Sequence, residues 1–116
     1  MDEKNYYCSK TNKDEYIVFQ FNKEYHFCLI SITYPDSYKN ARLQKLRVVV
    51  YDNQKNYVEG LTYTLDRESG EKVVKLNIDA KGAYLKFEFL SNLGADYFCI
   101  SRIQFFADIT HSINIK

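Results

Sequence analysis

The side chains here best suited to catalysis or metal binding are two histidines, three cysteines and a few paired carboxylates. His26 stands at the entrance of an apolar stretch and His111 near the C-terminus, each isolated from a nucleophile or a second ligand. The acid pairs Asp2–Glu3, Asp14–Glu15 and Glu68/Glu71 fall in turns and chain ends. General acid–base work needs two carboxylates converging on one bond, and nothing in this spacing imposes that. No G-x-S-x-G, P-loop, H-E-x-x-H or G-x-G-x-x-G pattern occurs. Cys8, Cys28 and Cys99 lack C-x-x-C spacing and do not combine with the two histidines into a zinc set. The expectation is therefore no catalytic residue, no metal and no cofactor: a protein that is not an enzyme. Cys28 and Cys99 lie in apolar stretches, where a free cysteine behaves as a small core residue. In an oxidising compartment, Cys8–Cys99 and Cys8–Cys28 both remain open as pairings.

The polar loops offer more. The segment "YPDSYKNARL" (34–43) contains the only proline and presents Tyr34, Asp36, Tyr38, Asn40 and Arg42. The break "NLGAD" (92–96), with the tyrosine after it, presents Asn92, Asp96 and Tyr97. Tyrosine and arginine anchor interfaces because they bury large areas while keeping a polar handle. These eight residues are the expected partner-binding set. The sequence holds eleven Tyr and eight Phe but no Trp. An AT-rich genome would also enrich tyrosine, so the set competes with the plainer reading of solvated turns.

What must position these loops is a set of strands. Apolar and polar residues alternate in "YIVFQF" (16–21), "KVVKLNI" (72–78) and "YLKFEFLS" (84–91). They put Ile17, Phe19 and Phe21; Val74, Leu76 and Ile78; and Leu85, Phe87 and Phe89 on inward faces. "FCLISITY" (27–34) is apolar on both faces, as a covered central strand would be. "KLRVVVYD" (45–52) and "YVEGLTYTL" (57–65) form a hairpin about "NQKN" (53–56), with Gly60 marking a bulge. "DRESGE" (66–71) and "DAKGA" (79–83) read as turns, Gly82 supplying φ > 0. "YFCISRIQFF" (97–106) and a short strand at 112–115 complete the series. Strands recur about every 12 residues, with no amphipathic helix, which is the pattern of an antiparallel β-sandwich or jelly roll of about eight strands. The whole chain is expected to be one domain, with residues 1–15 a polar lead-in.

The bulk numbers narrow the partners. Sixteen basic and fifteen acidic residues give a net charge of +1, without blocks of one sign. A nucleic-acid partner would need a basic footprint that is absent. No stretch reaches the roughly 18 apolar residues of a membrane span, and the acidic start "MDEKNYYCSK" is no secretory signal. The chain is expected either to be intracellular or to be a domain cut from a longer, targeted protein.

From Gly82 to Ala107 the sequence resembles the late hairpin of the galactose-binding-like, or discoidin, jelly rolls. Ala83-Tyr84-Leu85-Lys86 is similar to the "AKYLKV" of SUN and SUN-like domains. Leu90-Ser91-Asn92, Gly94, Tyr97-Phe98-Cys99 and Arg102-Ile103 resemble their "LSHYGNEFYC…LRVYG" ending. The DOC-type subunit of the anaphase-promoting complex and the small β-sandwich subunit of intraflagellar transport share the layout. The resemblance implies a non-catalytic recognition module that binds a protein partner within a multi-subunit assembly, cytoplasmic or nuclear, including ciliary. A true SUN-type domain would sit in the nuclear-envelope lumen. The alternative is a lectin-type domain that binds carbohydrate or lipid with the same end loops, where Tyr38, Asp36 and Arg42 would supply a glycan platform.

Overall fold

The computed structural model describes residues 6–65 and 72–108. The expected 66–71 turn, the 112–115 strand, His111 and the acid pairs Asp2–Glu3 and Glu68/Glu71 lie outside the described residues. The strands are β1 (Tyr7–Cys8), β2 (Glu15–Thr33), β3 (Leu43–Tyr51), β4 (Tyr57–Thr64), β5 (Val73–Asn92), β6 (Cys99–Ile100) and β7 (Arg102–Ala107). One turn of 3₁₀-helix, Lys39–Ala41, precedes β3, and there is no α-helix among the described residues. All pairings are antiparallel, with β4-β3-β5-β2-β7 in one sheet and β1-β6 in another.

Two long strands replace four expected short ones. Residues 16–21 and 27–33 belong to β2, and 73–78 and 84–91 to β5. The 79–83 stretch, expected as a turn, runs through β5 without a break. In the β2–β5 ladder, Gln20 faces Tyr84 while Tyr25 faces Gly82, so residues 21–24 oppose Ala83 alone. Such an excess bends the ladder sharply. Gly82 serves the bend by its lack of a side chain, not by positive φ. A Cβ there would stand 2.4 Å from Val50 Cγ1 and 2.7 Å from the Tyr51 carbonyl oxygen, both inside contact distance. Gly60 pairs in register with Val49, and the irregularity falls next to it, between Val50 and Tyr51.

The bend divides the sheet. β3 pairs only with the C-terminal half of β5, and β7 only with the C-terminal half of β2. The halves face each other across the core. Phe105 of β7 meets Phe19 of β2 at 4.9 Å and Phe87 of β5 at 5.8 Å between ring centroids, both edge-to-face. Leu46, Val48, Val50, Leu85 and Phe87 complete this layer as fully buried side chains. The expected inward faces of 16–21, 72–78 and 84–91 all pack on it. Cys28 departs from expectation: it is exposed, its thiol donating to the Phe106 carbonyl at 3.3 Å. The 97–106 segment is also broken. Tyr97 lies in the loop, β6 pairs with β1, and β7 begins after Ser101.

The end of the sandwich that carries Asp79 and Asp108 is clasped by His26. Its Nε2 hydrogen-bonds the Asp79 carboxylate, and its Nδ1 lies 3.5 Å from Asp108 Oδ2. The hydrogen bond to Asp79 raises the imidazole pKa against an opposing desolvation, and Asp108 adds to the rise. The folded protein thus holds this proton more tightly than the unfolded chain does. The stabilisation is complete below the unfolded value of about 6.5 and is lost as pH rises through the folded value. Urea midpoints are expected to fall between about pH 5.5 and pH 8, and His26→Gln to flatten that fall. An unchanged slope in the variant would show that the clasp does not couple to folding.

Candidate functional site

At one end of the sandwich three segments converge: residues 6–12, the 34–42 loop and the 92–98 loop. Each is held by specific bonds. Cys8 and Cys99 stand opposite each other in the β1–β6 ladder and form a disulfide with Cα atoms 4.1 Å apart. That spacing is the close, non-hydrogen-bonded kind of antiparallel pair. Ser9, buried beside it, donates its N–H to the Phe98 carbonyl at 2.8 Å, and its Oγ accepts from the Phe98 N–H at 2.9 Å. Phe98 is buried against Phe89, with ring centroids 5.3 Å apart, so the core anchors this arrangement.

The 92–98 loop is shaped by Asn92. Its Nδ2 donates to the Tyr97 carbonyl at 2.7 Å and its Oδ1 accepts from the Gly94 N–H at 3.0 Å. Gly94 has φ +124°, a conformation that side chains rarely adopt. The tip is then stitched to its neighbours: the Ala95 N–H donates to the Asn40 carbonyl at 3.2 Å, and Asn12 Nδ2 donates to the Ala95 carbonyl at 3.1 Å.

These supports present three tyrosine rings. Tyr38 lies 5.6 Å from Tyr6 and 6.0 Å from Tyr97 between ring centroids. The Tyr6 hydroxyl donates to the Tyr38 hydroxyl at 3.2 Å. That bond is the first cause of a raised Tyr6 pKa. Tyr38 adopts left-handed φ 58°, ψ 48°, a strained backbone for a bulky side chain that is stored most often where a side chain must be aimed. The cleft between Tyr38 and Tyr97 measures about 360 Å³ and is also lined by Lys39, Asn40 and Asp96. It offers aromatic faces, an ammonium, an amide and a carboxylate.

Of the eight residues expected from the sequence, Tyr38, Asn40, Asp96 and Tyr97 line this cleft. Asn92 lies behind it as the loop's scaffold. Tyr34 and Arg42 do not reach the surface. Tyr34 is 2% exposed within the core cluster, and burial pushes its phenol well above the ordinary tyrosine range. Arg42 is buried beside it, its guanidinium 5.4 Å from the Tyr34 ring and donating to the Pro35 carbonyl at 3.4 Å. The pair is a floor under the loop. Asp36 turns away, 2.9 Å from Lys72 Nζ. The platform of Tyr38, Asp36 and Arg42 is therefore not assembled. The sequence reading missed Tyr6 and Lys39. Tyr6 lay in an expected polar lead-in, and the available signal was Cys8, two residues on.

No protein-family model and no curated protein sequence matches the chain. Its architecture is nonetheless that of many solved structures. It superposes with a TM-score of 0.76 on CBM32-3 from a family 31 glycoside hydrolase of Clostridium perfringens, at 19% identity over 92% of this chain and 78% of that one. A second Clostridium perfringens module, CpGH89CBM32-5 in complex with GalNAc-β-1,3-galactose, gives 0.76 at 17% identity, covering 91% and 78%. A fucose binding module of Streptococcus pneumoniae gives 0.71 at 17% identity, covering 89% and 70%. The fold is the galactose-binding-like jelly roll, an all-β antiparallel sandwich. At 17–19% identity these likenesses show the fold alone. The SUN-like, DOC-type and ciliary assignments receive no support from them.

Proposed function

We propose that the protein is a non-catalytic carbohydrate-binding module that takes a sugar unit in the cleft between Tyr38 and Tyr97. The observation that carries this reading is the meeting of the Tyr38 and Tyr97 rings with Asn40 and Asp96 on one cleft, with the Tyr6 ring against Tyr38. A pyranose has apolar C–H faces and a hydroxyl-bearing edge. An aromatic wall beside a donor and an acceptor matches both. Lys39, Asn40 and Asp96 would orient the hydroxyls, while the disulfide, Ser9 and Asn92 hold the walls still, which lowers the ordering cost of binding. The disulfide also favours an oxidising compartment over the cytoplasmic or nuclear one expected from the sequence. A protein partner would rest on the same tyrosines, with no structural likeness behind it.

A glycan array followed by titration calorimetry tests the assignment. Tyr97→Ala and Tyr38→Gly are each expected to weaken binding at least about tenfold, the loss of an aromatic contact of ~1.4 kcal/mol or more. Tyr38→Gly carries an internal control. Glycine accepts left-handed φ without the ~1–2 kcal/mol that a side chain costs there, so the unfolding midpoint should stay level or rise while affinity falls. An array with no bound glycan, or binding indifferent to both changes, overturns the reading.

A further inference from the structure

The outward face of the long strands carries a second surface that the end cleft leaves unused. Tyr16, Val18 and Gln20 of β2 stand opposite Glu88, Lys86 and Tyr84 of β5, and Tyr84 stands opposite Tyr51 of β3. Their chain neighbours Ile17, Phe19, Leu85 and Phe87 point into the core, so these point out. Tyr16 is 56% and Val18 50% exposed, two large side chains side by side on this face. With Tyr51, Tyr84 and Lys55 they line a trough of about 570 Å³.

This trough does not stop at Tyr16. Tyr16 and Lys86 also border a groove of about 580 Å³, walled by residues 12–15 on one side and Glu88 to Leu90 on the other. Asn12 on that wall donates to the Ala95 carbonyl, and Ala95 lines the end cleft. Groove and trough are thus contiguous through Tyr16 and Lys86, and the groove's Asn12 wall is bonded to the rim of the cleft. From Leu90 back to Tyr84 the track follows β5 for about 20 Å at the rise of an extended strand.

We propose that this track binds the body of an extended, uncharged oligosaccharide whose terminal unit occupies the end cleft, an inference that rests on the carbohydrate reading of that cleft. The charges on the floor are already matched. Lys86 Nζ lies 3.3 Å from Glu88 Oε2, and Arg47 Nη1 lies 3.1 Å from Glu88 Oε1. A polyanion would meet Glu88 and a polycation would meet Lys86 and Arg47, so an uncharged chain fits best. The rings are held in place before any ligand arrives. Lys86 Nζ sits 4.5 Å from the Tyr16 centroid and Lys55 Nζ 5.6 Å from the Tyr84 centroid. An incoming peptide strand finds no backbone to pair with on this floor, because β5 is hydrogen-bonded to β2 and β3 on its two sides. Stacking and hydroxyl contacts remain, with Gln20, Lys55 and Asn12 placed along the rim.

The test is a chain-length series of neutral oligosaccharides, two to six units, built on whichever terminal sugars the array returns. The hexasaccharide is expected to bind about tenfold tighter than the disaccharide. Tyr84→Ala and Tyr16→Ala should each remove most of that gain while changing disaccharide affinity less than about twofold. Disaccharide binding with no gain on lengthening overturns the track alone and leaves the end cleft standing. A gain untouched by both variants does the same. Self-association abolished by Tyr84→Ala, without any length dependence, would instead make this face a contact between copies. No affinity for any member overturns the cleft and the track together.

Discussion

Reduction of the Cys8–Cys99 disulfide is expected to lower the unfolding free energy by up to about 4–5 kcal/mol. The bond closes a loop with a sequence separation of 91 residues. In the chain-entropy account, a loop of that length removes about that much freedom from the unfolded ensemble. The figure is an upper bound because reduction also frees the folded protein. β1 has only two residues and can fray once the sulfurs part, regaining local entropy. Ser9 opposes fraying through its two hydrogen bonds to Phe98. Guanidinium denaturation with and without a dithiol, repeated on Cys8→Ser/Cys99→Ser, measures the loss, and the denaturant slope should rise as the unfolded chain expands. Thiol titration of the native protein should find Cys28 alone, because it is the exposed free cysteine. A loss under about 1 kcal/mol would remove the disulfide as the anchor of the Tyr6 side of the cleft.

How much of this was legible in the sequence depends on which physical signal was local. The inward faces of 16–21, 72–78 and 84–91 were, because alternation within one strand reports burial directly. Half of the cleft was too, since Tyr38, Asn40, Asp96 and Tyr97 stand in segments whose turn chemistry exposes them. The long strands were not legible. Residues 79–83 read as a turn and residues 22–26 fall between two expected strands, yet both lie where β2 and β5 bend together across a ladder that sequence distance does not reveal. Gly82 illustrates the point: its partners, Val50 and Tyr51, are about thirty residues away along the chain. The choice between Cys99 and Cys28 as partner of Cys8 was equally non-local, and the β1–β6 register settles it. Arg42 and Tyr34 misled for a related reason. Residues in a loop are presumed exposed, but this loop folds back so that both underlie it.

The same non-local packing makes Phe87→Ala a severely damaging core change. Phe87 is 0% exposed and sits on the central strand, facing Ile17 of β2 and Val48 of β3 in register. Its ring meets Phe19 at 5.3 Å and Phe105 at 5.8 Å, so it touches both halves of the folded sheet. Truncation loses the transfer free energy of the ring and leaves a cavity. β5 is locked between two neighbours, so the surroundings collapse little, and the expected cost is about 3–5 kcal/mol. Against a total of roughly 5–15 kcal/mol for a domain of this kind, that brings the protein close to its unfolding threshold at ambient temperature. Phe87→Leu keeps most of the volume and should cost about 1–2 kcal/mol. Phe106→Ala is the comparison that isolates position from chemistry: the neighbouring ring of Phe105 points inward, Phe106 is exposed, and its loss should stay within about 0.5 kcal/mol. Urea denaturation of the three variants reads the order directly. Were Phe87→Ala no worse than Phe106→Ala, the two halves of the sheet would not share a core through Phe87, and the bend that sets the end loops side by side would need another explanation.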